Sequence, residues 1–243
     1  MSHPLNFMGI IIGGLQKVTL VDYPGKLACT VFLSGCCFRC PFCYSQELVL
    51  PQMIENQPKI DPEYFFDFLE GKKELLAGCV VCGGEPTINP DLPEFLRKIK
   101  DKRFLIKLDT NGSNPEMIKD LIDRKLVDYI AMDIKAPLEK EKYAAAIGID
   151  FDLDKIKRSI GIIKDSGVDY EFRTTIVPRL HSKEDLIQMA KEIGPAKRYF
   201  LQRFRGEKGT IDPAFVDSKP YDDKTLEEVE KEIAPLFKIF KIR

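Results

Sequence analysis

Residues 27–43 read LACTVFLSGCCFRCPFC, an apolar stretch that runs directly into a group of cysteines. The first seven of these residues are rich in strand-forming side chains and predict a buried strand. Cys36, Cys40 and Cys43 then follow with the spacing C-x3-C-x2-C. Three thiolates at this spacing can bind three irons of a [4Fe–4S] cluster and leave the fourth iron open, whereas four cysteines usually close such a cluster. The stretch therefore predicts a strand that ends in a site for chemistry.

Three other interpretations of these cysteines are weaker. Their i, i+4, i+7 pattern would fit a buried helical stripe, but Gly35 precedes the run and Pro41 lies inside it, where a helix would lose a hydrogen bond. A tetrahedral zinc site needs a fourth ligand, and no cysteine or histidine pair follows nearby. A disulfide framework fits poorly with seven cysteines, an odd number, in a chain of 243 residues.

The composition is typical of a soluble globular protein. Hydrophobic residues make up 44% and charged residues 31% of the chain, and the formal net charge is −1. We therefore expect neither a nucleic acid nor a membrane as a partner. The longest apolar runs, such as residues 8–12, are far too short to span a bilayer. Residues 1–12 lack the charged start and cleavage site of an export signal, so a cytoplasmic location is expected.

Apolar strands and amphipathic helices alternate along the chain. Strands are predicted at residues 27–33, 79–82, 104–108, 129–132, 171–177, 198–202 and 237–242. Helices are predicted to begin at Asp61, Asp91, Asn114, Asp154, Ser182 and about Asp223, residue types that cap helix N-termini. Such alternation indicates a parallel sheet with helices outside it. Six β-then-α units are too few for a complete eight-stranded barrel, so the predicted fold is α/β, an open partial (β/α)6 TIM-like barrel.

Polar residues recur where these strands end. They are Gly83, Gly84, Glu85 and Pro86 after the second strand, Asp109, Thr110, Asn111 and Gly112 after the third, Asp133, Ile134 and Lys135 after the fourth, Arg173 in the fifth, and Gln202 and Arg203 in the sixth. In parallel α/β barrels the chemistry lies at the carboxyl ends of the strands. We therefore expect these residues to share one rim.

The residue types at this rim suit a ligand with an amino-acid end and a nucleoside end. The glycine pair lets a small polar ligand approach the backbone closely, and Glu85 could accept a hydrogen bond from a ligand ammonium. Asp109, Asp133 and Lys135 could bind a carboxylate, a ribose or a cation between them. Phe42, next to a cluster cysteine, could stack on a base.

With these motifs the chain resembles the radical S-adenosylmethionine (radical SAM) superfamily. Cys36, Cys40, Phe42 and Cys43 match its cluster motif, and residues 83–86 (GGEP) match its motif for the amino group of the cofactor. The resemblance implies that a reduced [4Fe–4S] cluster cleaves S-adenosylmethionine. This cleavage yields methionine and a 5′-deoxyadenosyl radical, which abstracts a hydrogen atom, while the protein supplies positioning and shielding.

The resemblance covers about residues 15–204. It implies a single radical SAM domain for residues 1–243, with a helix–strand extension at 205–243. The cofactor contacts it implies are Phe42, Tyr44, Gly83, Gly84, Glu85, Asp109, Thr110, Asn111, Asp133, Ile134, Lys135, Arg173 and Gln202, and the implied cluster ligands are Cys36, Cys40 and Cys43.

Within the superfamily the chain looks most like the activating enzymes of glycyl radical enzymes. Residues 14–17 (GLQK) and 21–26 (VDYPGK) resemble the N-terminal segment of anaerobic ribonucleoside-triphosphate reductase activating proteins, and residues 109–112 (DTNG) and 133–135 (DIK) resemble activase motifs. The implied reaction removes a hydrogen atom from a glycine of a partner enzyme, with anaerobic ribonucleotide reductase expected. A flavodoxin or ferredoxin-type electron donor is implied, and the aspartates suggest a monovalent cation.

The chain departs from the family pattern at several positions. Cys37 stands where asparagine is common, and Tyr44–Ser45 replaces the usual His/Tyr–Asn. Gln202 occupies the place of a histidine in formate-lyase activases, which argues against a formate-lyase partner. Two alternatives stay open: a small-molecule radical SAM enzyme such as 7-carboxy-7-deazaguanine synthase, and a non-catalytic Fe–S electron carrier. Residues 22–26 argue against the first, and the missing fourth cysteine ligand and residues 83–86 argue against the second.

The remaining cysteines and histidines are given no role in the chemistry. Cys79 and Cys82 have an odd spacing along a strand and point to opposite faces, so both are interpreted as core residues, as is Cys29. His3 and His181 are expected to be exposed loop residues. The sequence does not show the surface that docks the partner, but residues 137–151 are a candidate loop for it.

Overall fold

The computed structural model describes residues 9–206 and 209–243, which form two compact units. The N-terminal unit contains residues 9–37, Glu47–Thr110 and Glu116–Ile130, and the C-terminal unit contains Phe38–Gln46, Asn111–Pro115 and the described part of Ala131–Arg243. His3 lies outside the described residues.

The N-terminal unit is built on parallel strands with one antiparallel strand beside them. Its strands are β1 (Ile12–Thr19), β2 (Ala28–Leu33), β3 (Gly78–Gly83), β4 (Leu105–Thr110) and the first two residues of β5 (Tyr129–Asp133). β1 pairs antiparallel with β2, while β2, β3 and β4 pair in parallel. The register places Leu33 opposite Gly83, so β2 and β3 end at the same level, each at a predicted site motif.

Five helices follow along this part of the chain. They are α1 (Gln46–Val49), α2 (Pro51–Asn56), α3 (Pro62–Glu70), α4 (Leu92–Asp101) and α5 (Pro115–Asp123), with a 3-10 turn at Pro86–Ile88. Asp61 caps α3 by accepting a hydrogen bond from the Glu63 amide, as its position before a proline predicts. Phe65 of α3 stacks on Phe95 of α4 with ring centroids 5.5 Å apart, and both rings are fully buried.

The C-terminal unit repeats the β-then-α pattern. Its elements are the end of β5, α6 (Lys140–Ile147), α7 (Leu153–Asp165), β6 (Asp169–Ile176), α8 (Lys183–Ile193), β7 (Ala196–Arg203), α9 (Asp223–Ile233) and β8 (Phe237–Ile242), with 3-10 turns at Pro213–Phe215 and Ala234–Leu236. β6, β7 and β8 pair in parallel. Ser182 and Asp185 form a capping box at the start of α8, which satisfies two otherwise orphaned backbone donors.

The predicted α/β fold with parallel strands is confirmed, since all seven predicted strands are present as β2 to β8. β1 was not predicted, because its sequence IGGLQKVT contains two consecutive glycines, which are depleted in strands. The predicted loop at residues 137–151 is wrong for Lys140–Ile147, which form α6. None of the helices in residues 9–206 and 209–243 combines the length and the hydropathy needed to cross a bilayer.

Candidate functional site

In the N-terminal unit, the glycine pair after β3 packs directly against the backbone that leads to Cys36. The Gly84 amide donates to the Leu33 carbonyl at 2.8 Å, and the Glu85 amide donates to the Gly35 carbonyl at 2.7 Å. A Cβ on Gly84 would lie 2.0 Å from the Gly35 oxygen, and Gly83 has a φ of +123°. Both positions therefore require glycine for the contact between two stretches of backbone.

Glu85 is fully buried, and its carboxylate joins the ends of β3 and β4. One oxygen, Oε1, accepts hydrogen bonds from the Thr87 amide at 3.1 Å, the Thr87 hydroxyl at 2.5 Å and the Thr110 hydroxyl at 2.7 Å. Because a buried carboxylate is costly without such donors, this network fixes the shape of the loop. Thr87 was not identified from the sequence. The predicted contact between Glu85 and a ligand ammonium stays a prediction.

A second buried polar group in this unit, Lys107, was also missed. Lys107 lies on β4 with only 2% of its side chain exposed, and it forms an ion pair with Asp109, two residues further along the same strand face. Its ammonium also lies 6.0 Å from the centre of the Tyr129 ring. The sequence did contain a signal for this pair, namely a lysine inside the apolar run 104–108 that is followed two residues later by an aspartate.

In the C-terminal unit, Cys40 and Cys43 lie in a loop that is held from two sides. The Cys43 amide donates to the Cys40 carbonyl at 3.0 Å and closes a turn. The Ile211 amide donates to the Cys43 carbonyl at 3.0 Å, and the Arg39 amide donates to the Ile147 carbonyl of α6 at 2.8 Å. These backbone contacts fix the loop independently of any bound group.

The aromatic residues around these cysteines differ in exposure. Phe42 is buried and meets the ring of Phe204 edge-on, with centroids 6.3 Å apart. Tyr44 is 50% exposed. The Phe42 ring therefore packs against Phe204, whereas half of the Tyr44 surface is exposed to solvent.

At the end of β5, Asp133 connects two cations. Its Oδ2 accepts a hydrogen bond from Lys135 Nζ at 2.9 Å, and its Oδ1 accepts one from Arg173 Nε at 2.8 Å. Burial alone would raise the pKa of Asp133, but Arg173 and Lys135 hold it well below its ordinary value. Burial alone would lower the pKa of Lys135, yet Asp133 holds it above its ordinary value. All three groups are therefore charged at neutral pH.

Cys40 lies close enough to Lys135 and Asp133 for their charges to affect its pKa. Burial raises the pKa of the Cys40 thiol to about 11, while the charge of Lys135 acts in the opposite direction. Burial therefore favours the protonated thiol at neutral pH, and a metal that bound this sulfur would displace its proton.

The remaining predicted contacts are spread through the C-terminal unit. Ile134 is fully buried, and its amide donates to the Arg173 carbonyl at 2.8 Å. Asn111 is buried, and its side-chain oxygen accepts from the Ser113 amide at 2.9 Å. Gln202 is half-buried on β7, opposite Thr175 of β6. The contacts of this unit join Asp133, Lys135, Arg173 and Ile134 to one another. The contacts given above for Asn111 and Gln202 are with other residues.

Two sequence-based expectations about single residues are corrected. His181 is not an exposed loop residue, because only 1% of its surface is exposed. Cys82 is half-buried rather than part of the core, whereas Cys29 and Cys79 are fully buried as predicted. The burial of His181 could not be read from its surroundings in the sequence, since it follows a turn and precedes a helix cap.

The residues present fit an iron–sulfur cluster with a bound cofactor. Cys36, Cys40 and Cys43 form no disulfide bonds. Tyr143 of α6 is fully buried near the Lys135 backbone, and among the described residues its hydroxyl has no hydrogen-bond partner of acceptable geometry. Such an orphaned donor would gain a partner from a bound polar group.

No three histidine, cysteine, aspartate or glutamate side chains within residues 9–206 and 209–243 are grouped as a mononuclear metal site requires. A cluster makes a different demand, because each cysteine binds a separate iron.

Known proteins resemble the chain over about half of its length or more. A protein of Methanocaldococcus jannaschii described as "Putative glycyl-radical enzyme activating enzyme MJ1227" is 34% identical over 230 residues, which cover 92% of each chain. The anaerobic ribonucleoside-triphosphate reductase-activating protein of Escherichia coli K12 is 24% identical over 49% of this chain and 84% of its own. The resemblance drawn from the sequence motifs is thereby confirmed.

The fold comparison agrees with the sequence comparison. Streptococcus suis SuiB bound to S-adenosylmethionine aligns with a TM-score of 0.64 at 14% identity, over 87% of this chain and 51% of the SuiB chain. At this identity the likeness shows the fold alone, which is the expected α/β fold. The profile of the Radical SAM superfamily matches residues 30–196, more than half of the chain. The chain therefore belongs to the radical SAM superfamily, whose members use S-adenosylmethionine and a [4Fe–4S] cluster.

Proposed function

We propose that this radical SAM enzyme activates a glycyl radical enzyme, and that its partner is an anaerobic ribonucleotide reductase. The observation that carries the proposal is the relative with 34% identity over 92% of both chains, whose description names a glycyl-radical enzyme activating enzyme. Support for the particular partner comes from the similarity to the E. coli reductase-activating protein and from residues 14–17 and 21–26.

In this proposal Cys36, Cys40 and Cys43 bind three irons of the cluster. The cluster and S-adenosylmethionine together supply the radical chemistry that removes a hydrogen atom from the partner's glycine. The charge of Lys135 partly offsets the burial that raises the pKa of the Cys40 thiol. The loop contacts of Cys43 and Arg39 hold the ligands in place before iron binds, so less ordering accompanies binding.

The same proposal assigns the cofactor to the strand-end residues. Lys135 has three N–H donors, of which Asp133 accepts one, so its ammonium can also bind an anionic or polar group of the cofactor. The backbone at Gly83–Gly84, held by Glu85, receives the amino group. Phe42, Tyr44, Asp109, Thr110, Asn111, Ile134, Arg173 and Gln202 complete the proposed surroundings.

A monovalent cation near the aspartates stays a prediction. Asp109 is paired with Lys107, and Asp133 is paired with both Lys135 and Arg173. A cation that bound either aspartate would therefore share it with these side chains. We propose a flavodoxin or ferredoxin-type protein as the electron donor, since the cluster must be reduced one electron at a time.

Anaerobic electron paramagnetic resonance tests the proposal. The iron-reconstituted, reduced protein is mixed with S-adenosylmethionine and the anaerobic ribonucleotide reductase of the same cell. We expect a protein-based glycyl doublet and formation of 5′-deoxyadenosine. Formation of 5′-deoxyadenosine without the doublet would reject this partner, and absence of both would reject the activase assignment.

A matched pair of cysteine variants controls this experiment. Cys40→Ser should lose bound iron and the doublet, because it removes a proposed ligand. Cys37→Ser changes the neighbouring thiol that lies outside the C-x3-C-x2-C spacing, so it should retain iron and the doublet. Equal iron loss in both variants would contradict the ligand assignment.

A further inference from the structure

We propose that His181 is a positioning residue, which fixes the backbone of Lys135 so that Lys135 and Asp133 are held ready for S-adenosylmethionine. This inference rests on the proposed function of the Asp133–Lys135 pair. His181 belongs to the short connection between β6 and α8, where the sequence suggested an exposed residue without a role. The structure instead buries its ring between two segments of backbone.

Both ring nitrogens of His181 are occupied by backbone groups. Nδ1 lies 3.1 Å from the amide nitrogen of Val177, and Nε2 lies 2.8 Å from the carbonyl oxygen of Lys135. An amide N–H can only donate and a carbonyl oxygen can only accept. The ring must therefore be neutral, with its proton on Nε2, so that Nδ1 accepts and Nε2 donates. One tautomer alone satisfies both contacts.

The ring therefore ties the segment after β5 to the end of β6. Other contacts act on the same segment, since the Thr174 hydroxyl donates to the Ile134 carbonyl at 2.9 Å and the Tyr199 hydroxyl donates to Thr174 Oγ1 at 2.8 Å. His181 is itself held, because the Tyr221 hydroxyl donates to its carbonyl oxygen and its own amide donates to Val177 at 2.9 Å. Support of this kind beyond the residues that touch a ligand orients the contacting groups.

The consequence for ligand binding lies in the side chain of Lys135. A lysine is long and flexible, and holding its ammonium in one place requires that its backbone be fixed. The His181 contact fixes the carbonyl of Lys135 itself. The Arg173–Asp133 ion pair acts two residues earlier in the chain. We expect loss of this contact to weaken cofactor binding while leaving the cluster ligands in place.

Two variants separate the two ring contacts. His181→Gln places an amide N–H near the position of Nε2 and keeps the donor to Lys135, whereas His181→Asn places an oxygen near Nδ1 and keeps only the contact with Val177. The dissociation constant for S-adenosylmethionine is measured by anaerobic calorimetry on cluster-loaded protein. The change that S-adenosylmethionine causes in the paramagnetic resonance spectrum of the reduced cluster is the second readout, and iron content is the control.

We expect His181→Asn to weaken S-adenosylmethionine binding about tenfold or more and to reduce the spectral change, with iron content unaltered. His181→Gln should bind close to wild type. Equal affinities for wild type and His181→Asn, or equal losses in both variants, would overturn the inference. If His181→Asn does not fold, the test rests on His181→Gln. Loss of S-adenosylmethionine affinity in His181→Gln would contradict the role of His181 as a donor to Lys135. Failure of wild type to bind S-adenosylmethionine would instead reject the proposed function.

Discussion

At the scale of single residues, Lys107 is a charge that the fold buries and pairs. Replacing it with methionine keeps the length of the side chain but leaves Asp109, which is 17% exposed, without its partner. Breaking a buried ion pair by removing one partner is costly, so we expect Lys107→Met to lower the free energy of unfolding by about 3 kcal/mol. Urea denaturation monitored by circular dichroism measures this loss.

An exposed lysine provides the matched control for Lys107. Lys119 pairs with Asp123 on α5, and both side chains are more than half exposed. Lys119→Met should change the free energy of unfolding by less than about 0.5 kcal/mol. Similar losses of unfolding free energy in the two variants would show that burial does not determine how much the Lys107–Asp109 pair contributes to stability.

His181 should make stability depend on pH in a defined window. Burial lowers its pKa below the ordinary value of 6.5, and the charge of Lys135 acts in the same direction, while the hydrogen bond to the Lys135 carbonyl and the charge of Asp185 oppose this shift. The unfolded chain therefore binds a proton at a higher pH than the folded protein does. The full contribution is present above pH 6.5 and is lost as the pH falls below that value towards the lowered pKa.

The measurement compares the free energy of unfolding of wild type and His181→Gln between pH 7.5 and pH 5. We expect wild type to lose stability more steeply, by up to about 1.4 kcal/mol per pH unit for one proton. The comparison cancels the contribution of His3, the other histidine of the chain. Parallel curves for the two proteins would mean that His181 does not titrate differently on unfolding.

The site residues that sequence could identify are those that belong to short local motifs. The cysteine spacing and the strand-end groups require only neighbouring residues to be recognised. Lys107, Thr87 and His181 were missed because their importance arises from burial and from partners on other elements. His181 lies 46 residues from Lys135 in the chain, and no local pattern could connect them.

At the scale of elements, the end of α6 supports the cysteine loop. Gly148 follows α6 with a φ of +72°, and a Cβ there would lie 2.2 Å from the Arg39 carbonyl oxygen. Gly148→Ala therefore adds a steric clash to the cost of the left-handed conformation. We expect it to lower the free energy of unfolding by about 2–4 kcal/mol and to reduce iron bound after reconstitution.

Gly167 is the control because it separates these two costs. It follows α7 with nearly the same φ, +74°, but a Cβ there would meet nothing within 4 Å. Gly167→Ala should lower the free energy of unfolding by only about 1 kcal/mol and leave iron binding unchanged. If both variants bind iron equally, the contact between Gly148 and Arg39 does not support the loop.

The elements that sequence predicted well have clear end signals. α9 occupies the predicted residues 223–233, with Asp222 as its cap, and α8 begins after Ser182 as expected. α6 was missed because Lys140–Ile147 has an alanine-rich sequence with only three buried residues, Tyr143, Ala146 and Ile147. Its apolar pattern was too weak to indicate a helix, and its position depends on tertiary contact with the cysteine loop.

At the scale of the whole molecule, cofactor binding should appear as added stability. A ligand that binds only the folded protein at one hundred times its dissociation constant stabilises it by about 2.7 kcal/mol. For a chain of 243 residues, each kcal/mol raises the melting temperature by about 2–4 °C. We therefore expect S-adenosylmethionine to raise the melting temperature of the cluster-loaded protein by about 5–10 °C in anaerobic calorimetry.

The same measurement on Lys135→Met shows whether the shift comes from the proposed site. At the same S-adenosylmethionine concentration the shift should fall, because an ammonium that Asp133 holds in place is no longer available to the cofactor. Iron content must match wild type, so that a smaller shift reflects lost cofactor contact rather than lost cluster. A full shift in this variant would show that S-adenosylmethionine binds without Lys135, and the strand-end assignment for Asp133 and Lys135 would then fail.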